Sequence, residues 1–229
     1  MSLVSSVEAA EKLQLTRQRV AMLLRDGHLV GEQTARGQWL INSRSINEYQ
    51  ARKSGPGRPW SAETSWALLA ELDGHRSSTL TSSTAARVRS RIRDTEAAEL
   101  ARKVATRTVA RSFAADDRKK TAADLILTGR SAAEQIGTDL VRQDRVVEGY
   151  LRDVSETIEA FARRHLLVPD ADGDVTIFER PACALFDDGL AGDAVVAADL
   201  ARSTDTRERS AGLGALEKAR QEWLAKHTK

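Results

Sequence analysis

The chain has 229 residues, of which 30% are charged and 41% hydrophobic, a balance that excludes collagen, low-complexity disorder and a disulfide scaffold. Cys183 is the single cysteine, so neither an intrachain disulfide nor a cysteine-rich zinc site is expected. The net charge of +2 conceals a division along the chain: residues 1–60 carry +4, 61–75 carry −3, 76–120 carry +7 and 121–229 carry −6. A basic first half joined to an acidic second half predicts a nucleic-acid end and a separate task at the other end. No apolar run approaches the ~20 residues of a membrane span, and the first residues lack a secretory apolar stretch, so no membrane partner and a cytoplasmic location are expected.

In chain order, Ser5 or Ser6 can cap a first helix whose apolar positions Val7, Ala10 and Leu13 share a face. Gln14-Leu15 makes a turn, and Thr16 is placed to cap a second helix through about Arg25, with Val20, Leu23 and Leu24 on its buried side. Asp26-Gly27 ends it. Two short apolar runs, Leu29-Val30 and Trp39-Leu40-Ile41, flank a Gly-containing connection and predict a β-hairpin, or wing. Asn42 or Ser43 can then cap a third helix to about Arg52, with Ile46 and Tyr49 inward. This pattern predicts a winged helix-turn-helix over residues 1–53, followed by a Pro/Gly-dense linker at 54–60.

Beyond the linker, Ser61 can cap a helix carrying Trp66, Leu69 and Leu72 and ending at Asp73-Gly74. Residues 85–103 read as one or two basic helices, and 104–113 as a strand. From residue 121 helices and short strands alternate. Leu125 to Gly129 is a short apolar run followed by a helix from Ser131, Val146 to Leu151 a strand, 154–165 an amphipathic helix and Val175 to Phe178 a strand. Val195 to Leu200 is a buried apolar stretch, and 206–226 a long closing helix. The fold class expected is mixed α/β or α+β, with a helix-rich C-terminal domain, 61–229, containing a small sheet: a basic helical part to about 120, then an α/β part.

In a helix-turn-helix the first residues of the second helix meet base edges in the major groove. Here these are Thr16, Arg17, Gln18 and Arg19, types suited to reading guanine and adenine. Arg25 is placed for phosphate, and Arg36 and Gln38 at the wing tip for backbone or minor groove. Gly57-Arg58-Pro59, with Arg52 and Lys53 nearby, is similar to the core of a minor-groove AT-hook centred on Arg58, though with so few flanking basic residues a plain linker is the better account of it. No catalytic residues are expected, since P-loop, G-x-S-x-G and HExxH patterns are lacking. No metal site or cofactor is expected either: the four histidines are scattered, and Asp170, Asp172 and Asp174 read as a polar turn. Asp193 and Asp199 do not form a nucleotidyltransferase carboxylate pair, and Cys183 reads as a small core residue.

Two resemblances add to this reading. Val7 to Leu13, Thr16 to Val20, Arg25 to Leu29, Trp39-Leu40-Ile41 and the following Ser-Ile-x-x-Tyr together resemble the excisionase-like and MerR-like winged-helix family, which implies DNA binding. The same start followed by Gly57 to Leu69, then Leu127 to Ala133, Val147 to Tyr150 and Val196 to Leu200, resembles antitoxins of the abortive-infection E type. That resemblance implies a cytoplasmic, autoregulating repressor in phage defence, bound to operator repeats and paired with a nucleotidyltransferase-like toxin. Arg130 and Gln135 depart from the smaller or more apolar residues expected there. The competing expectation is a transcriptional regulator whose C-terminal half forms a homodimer or senses a ligand.

Overall fold

The computed structural model describes residues 3–25, 28–35, 37–53, 59–75, 81–140, 145–186 and 188–227, with the side chains of 44, 48 and 51–53 outside that description. Among these residues it is a mixed α/β structure with two sheets and no closed barrel.

The first sheet and its helices come from the N-terminal residues. Strand β1 (Leu3–Ser5) leads into α1 (Ser6–Leu13), and Ser5 caps it: its hydroxyl accepts the Glu8 amide while the Glu8 carboxylate accepts the Ser5 amide. Gln14 adopts a left-handed conformation and turns the chain toward α2 (Arg17–Arg25). β2 (Gly31–Gln33) and β3 (Trp39–Asn42) form an antiparallel hairpin, β1 pairs on the other side of β3, and α3 (Ser43–Lys53) follows. Val4, Ala9, Ala10, Leu13, Val20, Leu23, Leu24, Leu29, Ile41 and Ile46 make one core, with Leu15, Trp39 and Tyr49 at its margin.

Three details differ from expectation. Val7 is exposed, because Ala9 and Ala10 pack with Leu13 instead. Leu29 is buried but precedes the strand, which starts at Gly31. β1 was not predicted; three residues are too few to show an alternating pattern.

The second part begins with α4 (Ala62–Leu72), capped by Ser61 and buried on nearly every side from Ser65 to Glu71. Then come α5 (Ser82–Asp94) and α6 (Ala97–Val104), the two basic helices, and β4 (Ala110–Ala114). They are followed by α7 (Arg118–Ala123), β5 (Leu125–Leu127), a 3-10 helix (Gly129–Ile136) and β6 (Val147–Leu151). The chain continues through α8 (Ile158–Arg164), β7 (Val168–Pro169), β8 (Val175–Phe178), α9 (Asp193–Leu200) and α10 (Thr206–His227). The sheet order is β5-β6-β8-β4-β7, with β6 and β8 parallel and the other pairs antiparallel.

The helix expected from Ser131 starts two residues earlier and is a 3-10 helix, while the one expected over 154–165 begins only at Ile158, behind its Thr157 cap. The apolar Val195–Leu200 stretch is α9, buried all round by α4, α10 and the 3-10 helix, which is why it carries no amphipathic signal. Cys183 is exposed rather than a core residue.

Candidate nucleic-acid interface

The turn between α1 and α2 places the expected reading residues. The Thr16 hydroxyl accepts the Arg19 amide at 3.2 Å, starting α2, whose inner side (Val20, Leu23, Leu24) is locked into the core. Gln18, Met22 and Arg25, spaced i, i+4 and i+7, therefore share the outward face, with Arg17 and Arg19 flanking it. Thr16, Arg17, Gln18, Arg19, Met22 and Arg25 are all exposed. Among the described residues the Arg17, Gln18 and Arg19 side chains have no ion pair, whereas Arg25 donates to the Ala21 carbonyl.

The hairpin beside them is shaped by its connection. The Thr34 amide donates to the Gln38 carbonyl at 2.8 Å, the Gln38 amide to the Thr34 hydroxyl at 3.2 Å, and the Gln33 side-chain amide to the Gly37 carbonyl at 3.1 Å. Gly37 has φ +76°, a conformation that a side chain would strain. Gln38 is exposed at this tip; Arg36 and Arg58 lie outside the described residues, as does the side chain of Lys53. Ser45 ties the hairpin to α3: its hydroxyl donates to the Asn42 carbonyl at 2.8 Å and accepts the Val30 amide at 3.1 Å.

The structure divides the arginines of α5. Arg89 pairs with Glu71 at 3.1 Å and Arg91 stacks over Trp60, leaving Arg87 and Arg93 exposed. Several charged residues of α10 are also engaged internally. Arg220 donates to the Ile92 and Arg93 carbonyls at 2.8 and 2.7 Å, satisfying the last turn of α5. Glu208 meets Arg130, and Arg207 and Arg209 donate to the Asp139 and Ser203 carbonyls.

Sequence reasoning did not anticipate the buried polar cluster of the second part. Arg107, whose side chain is wholly buried, donates through Nη2 to Asp199 at 2.7 Å and to the Tyr150 hydroxyl at 3.0 Å. Tyr150 and Thr128 each donate to the other Asp199 oxygen at 2.8 Å, and Arg202 approaches at 3.3 Å. Burial works against the Arg107 charge, but Asp199 and Tyr150 outweigh it and hold its pKa above the ordinary value. Burial pushes the Tyr150 phenol up, so it stays a donor. The only sequence signal for this cluster is one aspartate inside the apolar run of α9.

Next to it, Glu148 accepts the Arg130 amide at 2.6 Å, yet burial, aided by Asp199 and Glu208, pushes its carboxyl up to about 7. The departures at Arg130 and Gln135 have structural uses: Arg130 lies buried against Glu208, and Gln135 donates to the Ala191 carbonyl and to Asp193. The Asp199 cluster is closed to solvent and reads as a structural clamp. Asp193 lies at the start of α9, paired to Gln135 rather than to Asp199. Asp170 and Asp174 are used in their turn, Asp174 by Arg118 and the Ala115 amide. Among the described residues no group of three or more His, Cys, Asp or Glu is placed to share a metal ion, and no helix is long and apolar enough to cross a membrane.

No protein-family model, curated protein or solved structure matches the chain.

Proposed function

We propose that residues 3–53 form a winged helix-turn-helix that binds duplex DNA, and that the protein is an autoregulating antitoxin opposed to a nucleotidyltransferase-like toxin. The observation carrying the DNA reading is the first turn of α2: Arg17, Gln18 and Arg19 stand exposed and without ion pairs, beside a hairpin with Gln38 at its tip. A surface side chain of this kind costs little to pair with a base edge, because no internal partner is lost. The antitoxin part rests on the resemblance of the Leu127 to Ala133, Val147 to Tyr150 and Val196 to Leu200 segments. These segments meet in the structure around Asp199 and Glu148.

The test is binding of the full-length protein to duplexes tiled across the region upstream of its own gene. Arg19→Ala should weaken the preferred duplex by about 1–3 kcal/mol and flatten discrimination at one position. Binding equal to wild type in Arg19→Ala and in Gln18→Ala would overturn the DNA reading. Growth of cells co-expressing the neighbouring toxin gene tests the other part: arrest despite the full-length protein would instead favour the regulator whose C-terminal half dimerises or senses a ligand.

A further inference from the structure

Residues 76–120 carry +7, the most basic stretch of the chain, and lie wholly outside the proposed winged helix-turn-helix. Most of these bases meet an acid: Arg89 pairs with Glu71, Arg102 and Lys103 with Glu99, Arg107 with Asp199, Arg111 with Glu159 and Arg118 with Asp174. Arg87 and Arg91 of α5 do not. Neither has an ion pair among the described residues, and they stand four positions apart on one side of the helix. Like charges at that spacing destabilise a helix. The Arg91 guanidinium is half-buried over the Trp60 ring, 4.8 Å from its centroid. Burial and then the Arg87 charge both work against its own charge and hold its pKa below the ordinary value. No acid offsets them. Asp94 follows on the same side but accepts the Ser90 hydroxyl at 2.7 Å, and a helical side chain at Arg91 leans toward Arg87 rather than toward Asp94. Glu96 stands at the start of α6, where it suits the helix dipole.

We propose that Arg87 and Arg91 form a phosphate-binding face that grips the backbone of duplex DNA beside the site read by α2. The proposal rests on the DNA reading and extends its contact surface into the second part of the molecule. Trp60 supplies the continuity. Its amide donates to the Lys103 carbonyl at 3.1 Å and its ring lies beneath Arg91, so the residue that closes the connection from α3 is fixed at this face. Trp60 follows Lys53 by seven residues, a reach of at most about 25 Å, which is less than one ~34 Å turn of duplex. That tether favours DNA over an acidic protein, because docking of α2 already brings phosphates within reach of α5. A guanidinium fork fits phosphate oxygens, and the Trp60 stack holds one fork in place before binding. A phosphate between the two arginines also removes their mutual repulsion. Two contacts are too few to hold a duplex on their own, so the face acts once α2 has docked and strengthens every sequence alike.

The experiment measures binding of the full-length chain to its preferred upstream duplex and to an unrelated duplex across a range of salt, with hydroxyl-radical footprints of the same complexes. The variants are Arg87→Ala, an exposed position where alanine suits a helix, and the Arg87→Ala/Arg91→Ala pair. Arg93→Ala, exposed on the opposite side of α5, is the control. Circular dichroism melts check folding, and Arg87→Ala carries the test alone if the pair unfolds. Support is a fall of about threefold or more for Arg87→Ala on both duplexes, with their ratio unchanged and the salt slope shallower by about 0.9. Backbone protection within one turn of the α2 site is lost with it, and Arg93→Ala matches wild type. Strength, slope and footprint equal to wild type in Arg87→Ala overturn the proposal. An equal fall in Arg93→Ala overturns it too, since net charge rather than this face would then be responsible. If wild type prefers no duplex, the DNA reading fails and this inference with it. If Arg19→Ala flattens discrimination while Arg87→Ala changes nothing, only this inference fails. Capture of polyglutamate by wild type but not by Arg87→Ala, with duplex binding unchanged, assigns the face to an acidic protein, against the proposal.

Discussion

Arg107 and Glu148 show how much single buried charges decide here. Arg107 meets Asp199 with both groups out of water, so removing one partner strands the other. Arg107→Met should lower unfolding free energy by about 3–5 kcal/mol, read as a lower urea midpoint at unchanged slope. A loss below about 1 kcal/mol would mean that Arg202, already 3.3 Å from Asp199, takes over the pairing. Glu148 carries a pH dependence of definite sign. Its carboxyl titrates near 7 in the fold against 4.5 ordinarily, so between those values the folded chain holds a proton that the unfolded chain has released. Stability therefore falls as pH rises from 4.5 to about 7 and levels off above, by at most roughly 3 kcal/mol. Glu148→Gln should flatten that slope in melts taken across the window; an unchanged slope would locate the titration elsewhere.

Packing of α10 on α9 turns on one small residue. A Cβ at Gly212 would stand 2.4 Å from the Ala201 nitrogen and 2.8 Å from the Ala197 oxygen, whereas one at Gly214 would meet nothing within 4 Å. Both glycines lie inside the same helix, so alanine gains about 1 kcal/mol of helix propensity at either. Gly214→Ala should accordingly raise the melting temperature. Gly212→Ala should lower it, because backbone overlap of that size costs about 1–3 kcal/mol and neither helix can yield locally. Equal shifts in the two variants would show that α10 stands off α9.

Across the whole molecule the two proposed tasks are assigned to different cores. Among the described residues the N-terminal core draws on residues from Val4 to Tyr49, and the residues from Trp60 onward have their own clusters around Trp66 and Phe161. Fragment 1–60 should therefore bind the operator duplex without relieving toxicity, and fragment 61–229 should relieve it without binding DNA. Rescue by 1–60 alone would place neutralisation in repression.

What the residues alone determined is local. Ser5, Thr16, Ser61 and the spacing of Val20, Leu23 and Leu24 announce helices, because caps and the 3.6-residue repeat act within one or two turns. The exposed first turn of α2 was legible for the same reason, since the face opposite a buried stripe must meet solvent. The tertiary structure alone decided what depends on partners far along the chain. Asp199 finds Arg107 92 residues away, and Arg220 closes α5 across 128 residues. Those pairings leave no periodicity in the sequence, because their spacing is set by the path of the fold rather than by the pitch of a helix or the pleat of a strand. They determine which charges are consumed inside the molecule and which remain on its surface to meet another.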